Sequence, residues 1–418
     1  MRVGILASHP IQYQAPWFRE LAKETDLHVF FAHRQSAAEQ GKAGFGVPFD
    51  WDVDLLSGYA HTFLPNIARN PSVNRFSGCD TPQIAVEIAN GKFDGFIVNG
   101  WALKSYWQAV WACRRNKVPL LVRGDSQLET PRSRILESGK EIIYRVMLRW
   151  FDGFLTVGKR NRDYLAHYGV SEKKMFSAPH FVDNERFEKQ ANEIRNSKFE
   201  IRKRWRIPHD AFCVLFCGKF IPKKRPLDLI KAAQLLIANN RLSNIHLLFV
   251  GSGELGSQLR AKCHVVYDTE LVQRAKGRGQ TSDEPITDNQ KPRASFAGFL
   301  NQTEISRAYV AADVVVLPSD GRETWGLVVN EAMACGLPAI VSDAVGCTPD
   351  LIEEGKTGFT FPLGCEPALA EQLATLLEMK RAGHDFAPAL AAKMETYSPR
   401  VAVNWTVGAL ENFVRSEI

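Results

Sequence analysis

The sequence predicts an α/β protein made of two successive open parallel sheets, each with helices on both faces. Three observations carry this. Short apolar runs alternate with helix-period segments along most of the chain, which is the rhythm of βαβ units. The rhythm stops near residue 190, passes through the polar, basic stretch "KFEIRKRWRIP" (198–208), and then restarts. At 418 residues the chain is also longer than one ordinary core accommodates.

The first series opens with the strand "RVGILAS" (2–8), the helix "PWFRELAKE" (16–24) and the strand "LHVFFAH" (27–33). Further strands are predicted at "FDGFIVNG" (93–100), "VPLLVRG" (118–124) and "FDGFLTVG" (151–158). Residues 51–82 are less regular and read as an elaborated loop. The second series has strands at "CVLFCGKF" (213–220), "IHLLFVG" (245–251), "ASFAGFL" (294–300), "DVVVLPS" (313–319) and "AIVSD" (339–343). Between them "QRAKGRGQTSDEPITDNQKP" (273–292) is polar and reads as a surface loop. The expected domains are 1–190 and 191–394. Residues 395–418 end in an amphipathic helical pattern expected to pack back on the first domain.

Composition narrows the function classes. A formal charge of +6 is mild for this length, so it permits an anionic substrate or lipid surface without demanding either. The eight cysteines form no CxxC pair, and Cys213 and Cys217 lie in an apolar run, which predicts buried free thiols in a reducing compartment. The first strand begins at Arg2, leaving no room for a leader, and no apolar run reaches the length of a membrane span. The expected location is the cytoplasm, with peripheral contact at the inner face of a membrane compatible. The histidines show no zinc-ligand spacing with cysteine, and the lone "DVD" (52–54) falls in the irregular region. The basic stretches "RRNK" (114–117) and "IRKRWR" (201–206) accompany no nucleic-acid module. They suit a solvated surface, or anionic lipid if the substrate is lipid-linked.

The chemistry concentrates in "SDGRETWGLVVNEAMACGLPAI" (319–340). The preceding apolar run is a strand, "DGRET" a loop, and the helix that follows stops before Gly336 with Pro338 just beyond. Open α/β sheets bind ligands at the carboxyl ends of their strands, where this loop must lie. The first amides of the helix, at Gly326, Leu327 and Val328, lack intrahelical partners and carry the positive end of the dipole. They suit a phosphate. Glu331, about one and a half turns further on, is placed to meet a hydroxyl pair such as a ribose's. Glu323 precedes the helix and can point at the ligand.

A second cationic feature is "FCGKFIPKKRPLDLIKAA" (216–233). Its strand ends at Gly218, and Lys219 and Lys224 follow on the loop. Two ammonium groups there can stabilise the charge that grows on a departing diphosphate.

These segments resemble the retaining glycosyltransferases of family 4, which have the GT-B fold, two Rossmann-like domains facing each other across a cleft. Glu323 and Glu331 match that family's Glu-x7-Glu motif; Gly218, Lys219 and Lys224 match its Gly-Arg/Lys-x4-Lys motif. "LLFVGSGEL" (247–255), "FAGFL" (296–300), "AVGCTPDLIEEGKTGFTF" (344–361) and "PHFVDNERF" (179–187) are similar too. The resemblance implies roles. Lys219 and Lys224 hold the diphosphate of a UDP- or GDP-linked sugar, Glu331 the ribose, and Glu323 the donor sugar. Backbone around Phe296 to Phe299 meets the base. It further implies retention, no metal, and a leaving phosphate that helps to deprotonate the acceptor. The acceptor is then a hydroxyl of a glycan, lipid-linked or small-molecule compound, in polysaccharide or glycoconjugate assembly.

The first domain departs from the family pattern. A glycine-rich loop is replaced by "SHPIQYQAP" (8–16), and a histidine near the fourth strand's end by "NGW" (99–101). The acceptor side is therefore assigned to His9, Gln12, Asn99, Trp101, Arg123 and Asp125, with ordinary loop packing as the competing reading. Rival functions are an epimerase or phosphorylase of the same fold, a silent binding protein, and a dehydrogenase. The last would use "GSGELG" (251–256) with Asp268 as the ribose carboxylate, although that loop follows the second strand of its domain, where the dinucleotide fingerprint belongs on the first.

Overall fold

The apolar runs become strands buried on both faces, which is why they lack an alternating pattern. The protein was analysed as a computed structural model, which describes residues 1–42, 48–131, 134–242, 244–275 and 291–414. The first sheet comprises β1 (Arg2–Ala7), β2 (Asp26–Phe31), β3 (Ala60–Phe63), β4 (Gly95–Val98), β5 (Leu120–Gly124), β6 (Gly153–Thr156) and β7 (Met175–Ser177). Its order is β3-β2-β1-β4-β5-β6-β7, and every pairing is parallel. The second comprises β8 (Phe212–Cys217), β9 (Ile245–Val250), β10 (His264–Asp268), β11 (Arg293–Gly298), β12 (Val314–Leu317), β13 (Ala339–Ser342) and β14 (Gly358–Phe361). Its order is β10-β11-β9-β8-β12-β13-β14, again all parallel. Each sheet has a point where strand order reverses, between β1 and β4 in one and between β8 and β12 in the other.

The chain divides into two units. The first holds residues 1–36, 53–183 and those from 396 on; the second holds 37–52 and 184–395. The sequence reading placed all of 1–190 in the first domain. Instead, 37–52 leaves it and docks on the second unit, where the Phe49 ring lies 4.6 Å from Phe299. There the Asn301 amide donates to the Asp50 carbonyl at 2.7 Å, and the Thr303 amide to the Asp52 carboxylate at 3.2 Å. Asp52 is thus taken up in packing, and Asp54 accepts from the amides of Leu56 and Ser57, so "DVD" is a pair of loop anchors. On the first sheet, alternate residues of β1 serve two cores. Val3, Ile5 and Ala7 join Trp17, Phe18 and Leu21 from the first helix and Ala402, Val403, Ala409 and Leu410 from the helix Pro399–Val414. Leu6 faces the opposite core, with Phe30, Phe96 and Phe154.

Within "IRKRWR", Ile201, Arg202 and Trp205 turn inward, while Lys203, Arg204 and Arg206 are exposed. Arg202 is buried and donates to the carbonyls of Ala311, His209 and Ala211 and to the Asp313 carboxylate. Lys198 and Lys380 also pair with Asp313, at 3.1 and 3.2 Å, and the Cys213 amide donates to it. This hub joins the helix Lys198–Arg204, the start of β8, the start of β12 and the helix Glu366–Arg381. Burial alone would raise the Asp313 carboxyl. Its three cations and the amide override that and hold it far below the usual range. Of the surface loop expected at 273–292, residues 276–290 lie outside the described residues; the helix Thr269–Ala275 precedes them. The eight cysteines are free thiols, six of them buried. Among the described residues no cluster suited to a metal ion occurs, and no helix is long and apolar enough to cross a membrane.

Candidate active site

In the second unit the loops after β8 and β12 meet at the reversal point, the position where open sheets bind ligands. Asp320 from one loop donates its amide to the Lys223 carbonyl of the other at 2.9 Å. Lys224 closes a short 3-10 turn, Pro222–Lys224, before the helix Pro226–Ala238. Its Nζ lies 2.5 Å from Glu323 Oε2, with both side chains 14% exposed. Burial, then the charges of Lys224 and Lys223, push the Lys219 ammonium below the ordinary lysine value, while Glu323 opposes them. Three lysines therefore lie close together, with Glu323 beside Lys224 and Asp320, itself paired with Arg322 at 2.5 Å, within reach of Lys223. That excess positive charge is matched to an anion.

The Glu323 loop is held in place. The Glu323 amide donates to Asp320 O at 2.9 Å, and its carbonyl accepts from Gly346 at 3.0 Å. Trp325 is buried and donates its indole N–H to Asn330 at 2.8 Å. Gly326 opens the helix Leu327–Ala334 at φ 102°, in the left-handed region. A Cβ there would also lie 2.6 Å from the Leu317 side chain, so only glycine fits this turn. The amides of Leu327 and Val328 follow in the first turn. The Val329 amide already bonds Gly326 O at 2.9 Å.

Glu331 stands on the same helix. Tyr309, fully buried, donates its hydroxyl to Glu331 Oε2 at 2.5 Å. Burial raises the Glu331 carboxyl above the ordinary value, while Tyr309, Arg186, Gln302 and Lys224 favour its anion. Arg186 in turn grips Gln302, at 2.8 Å to the carbonyl and 2.7 Å to the side-chain oxygen. Tyr309, Arg186 and Gln302 were not singled out from the sequence. They come from two segments, Arg186 from one and Gln302 and Tyr309 from another, and only Arg186 lies in a quoted motif. Phe299 has the neighbour Phe49, which sequence reasoning also missed, because an isolated aromatic in an irregular segment carries no periodic signal.

The dinucleotide reading fails on geometry. Asp268 is held by Arg260 Nε at 2.5 Å, and its side chain is 2% exposed. The glycines have another role. A Cβ on Gly251 would lie 2.1 Å from Gly218 O, and one on Gly253 would lie 2.7 Å from Phe220 O. Phe220 exchanges backbone hydrogen bonds with Ser252 and Leu255 at 2.8 and 2.9 Å. The glycine-rich loop is the seat on which the Lys219 loop rests.

In the first unit, His9 and Gln12 follow β1, and Asn99 follows β4, at that sheet's reversal point. His9 Nδ1 is 3.0 Å from Ser8 Oγ. Both polar atoms of the Asn99 amide, and Oε1 of Gln12, are buried without a hydrogen-bond partner among the described residues. Two acceptor-side assignments fit packing better. Trp101 donates to the Tyr144 hydroxyl at 3.2 Å and packs on Phe151, which binds it to the core. Arg123 is 7% exposed, donates to Pro179 O at 3.0 Å, and lies over the rings of Trp17 and Phe181. It ties the ends of β5 and β7 together. Burial lowers its pKa to about 10, against the influence of Tyr13 and Asp125. Asp125 is exposed beside it.

Two units of parallel sheet, each with a reversal point in its strand order, form the GT-B fold. Anabaena HepE, solved in complex with UDP, matches with a TM-score of 0.66 over 99% of this chain and 100% of that one, at 17% identity. Sucrose-phosphate synthase from Thermosynechococcus elongatus matches with a TM-score of 0.65 over the full length of both, at 18% identity. Within this fold, residues 197–394, inside the second unit, match the family model described as Glycosyl transferases group 1. The sulfoquinovosyl transferase of Arabidopsis thaliana is 42% identical over 112 residues, 26% of this chain and 22% of that one. The D-inositol 3-phosphate glycosyltransferase of Thermomonospora curvata is 27% identical over 274 residues, 64% of this chain and 58% of that one. The matched region spans between 22% and 58% of the length of such curated relatives.

Proposed function

We propose that this protein is a retaining glycosyltransferase that moves a sugar from a nucleoside-diphosphate donor to a hydroxyl group. The observation that carries the reading is the cationic cluster at the β8/β12 reversal point. Lys219, Lys223 and Lys224 crowd together, with Lys224 paired to Glu323, beside a helix start held by Gly326 in the left-handed region. A diphosphate would relieve that crowding. Lys219 and Lys224 neutralise the charge that builds up as the sugar–phosphate bond breaks. Glu331, whose anion Tyr309 and Arg186 favour against the opposing effect of burial, accepts from the ribose hydroxyls, and Phe299 flanks the base. Glu323, steadied by Lys224, meets the donor sugar. No metal is needed, because the lysines and helix amides supply the positive charge. The UDP bound in the HepE structure supports a uridine donor, with guanosine as the other base to test.

In this reading the first unit supplies the acceptor contacts, with His9, Gln12 and Asn99 as the groups at its reversal point. The acceptor is a glycan, a lipid-linked compound or a small molecule, in polysaccharide or glycoconjugate assembly at the cytoplasmic side. Thermal melts with UDP- and GDP-sugars test the donor. A ligand at a hundred times its Kd adds about 2.7 kcal/mol of stability. A protein that no nucleotide sugar stabilises would overturn the reading. NMR of the product then reads the anomeric configuration: inversion refutes the retaining mechanism, and an epimerised donor without transfer favours an epimerase.

A further inference from the structure

The helix Arg134–Met147 and the turn Leu148–Trp150 present an uncovered apolar surface on the first unit. Ile142, Ile143 and Val146 are 71%, 62% and 57% exposed. With Trp150 they fall at i, i+1, i+4 and i+8, one face of the helical path. Trp111, on the helix Lys104–Asn116, is 60% exposed, and its ring lies 4.6 Å from Trp150. Arg114 locks the two segments together by donating to Trp150 O at 3.0 and 2.6 Å while pairing with Asp152 at 3.1 Å. Beside this surface stand Arg115, one helical turn after Trp111, and Arg149, next to Trp150, both exposed and without an ion pair among the described residues. Arg145 is exposed as well and pairs with Glu141.

We propose that this face docks the protein on an anionic lipid surface. The aliphatic side chains supply apolar area for the acyl boundary. Tryptophan favours the headgroup level, where its ring is half apolar and half wet. The cations match anionic headgroups, and the arginine stems lie along apolar surface while their charges stay in water. Charge also argues against a second copy as the occupant. A two-fold pairing of this face would set Arg115 and Arg149 against their own counterparts. The proposal is independent of the donor-site reading.

The test is sedimentation of the full chain with phosphatidylcholine vesicles, with and without about a third phosphatidylglycerol. Binding should require the anionic lipid and weaken with salt as the Debye length falls from about 10 Å at 0.1 M to about 3 Å at 1 M. The pair Ile142→Asp with Ile143→Asp, and separately Arg115→Glu with Arg149→Glu, should each lower partitioning about tenfold. All four positions are exposed, so the melting temperature should hold. Lys219→Ala should partition as the unaltered protein does, which separates this surface from the donor site. Absence of binding to anionic vesicles, or variants that bind normally, would overturn the proposal. A dimer seen by light scattering that Ile142→Asp abolishes would assign the face to a second copy instead.

Discussion

Lys219 and Lys224 are both lysines near a strand end, but they have different duties. Lys224 is neutralised by Glu323 at 2.5 Å, whereas Lys219 sits in the field of two other ammonium groups. Lys219→Ala should therefore cut kcat about a hundredfold while leaving the melting temperature unchanged or slightly raised, read by steady-state kinetics and thermal melts. Lys224→Ala should also cost stability, about 1–3 kcal/mol, because it leaves the Glu323 carboxylate part-buried without its cation. Tyr309→Phe removes one hydrogen bond from Glu331, so the donor KM should rise several-fold with kcat nearly kept. A fall in kcat with KM unchanged would refute that role. Gly326→Ala forces an L-residue to φ 102° against Leu317 and should cost about 1–3 kcal/mol in urea melts. At this scale the sequence was legible where spacing carried the signal. Gly218, Lys219, Lys224, Gly326, Glu323 and Glu331 announce themselves by interval. For Trp101 and Arg123 the packing contacts were not legible, because a strand-end position does not reveal which way a side chain turns. Tyr309 and Gln302 were invisible because nothing local marks a partner from another segment.

Among elements, the central strands were legible and the edges were not. β1, β4, β5, β8, β9 and β12 are flanked on both sides, and their residues read as unbroken apolar runs. β3 (AHTF) and β10 (HVVYD) are edge strands with mostly half-buried residues, so their mixed composition resembles loop. β7 and β14 are only 3 and 4 residues long, too short for a period to show. The elements of the second unit are cross-braced by Asp313, which gives a pH signature. Its folded carboxyl lies below the unfolded value of 3.8, so it stabilises the fold at pH above that value, and the contribution fades as pH falls toward the folded pKa. Asp313→Asn should cost about 3 kcal/mol at pH 7, and the gap from the unaltered protein should narrow at pH 3, measured by urea unfolding. A gap that does not change with pH would mean that packing, and not charge, is what the hub supplies.

For the whole molecule, two separate cores predict two unfolding transitions in calorimetry, and a nucleoside diphosphate should raise only the one belonging to residues 184–395. Fold class was legible at this scale, because the βα rhythm and its interruption are global signals. The partition was only partly so, since nothing in residues 37–52 says that they leave one unit for the other. That interleaving bears on biosynthesis. The helix Pro399–Val414 belongs to the first unit but is encoded after the whole of the second. At roughly 5–20 residues per second, translation of the intervening segment takes on the order of 10–40 s. Throughout that interval the nascent first sheet shows Trp17, Phe18 and Leu21 without the side chains of Ala402, Val403 and Leu410 that later seal them. The half made first on the ribosome is thus the half completed last, and chaperones would meet it with that flank open.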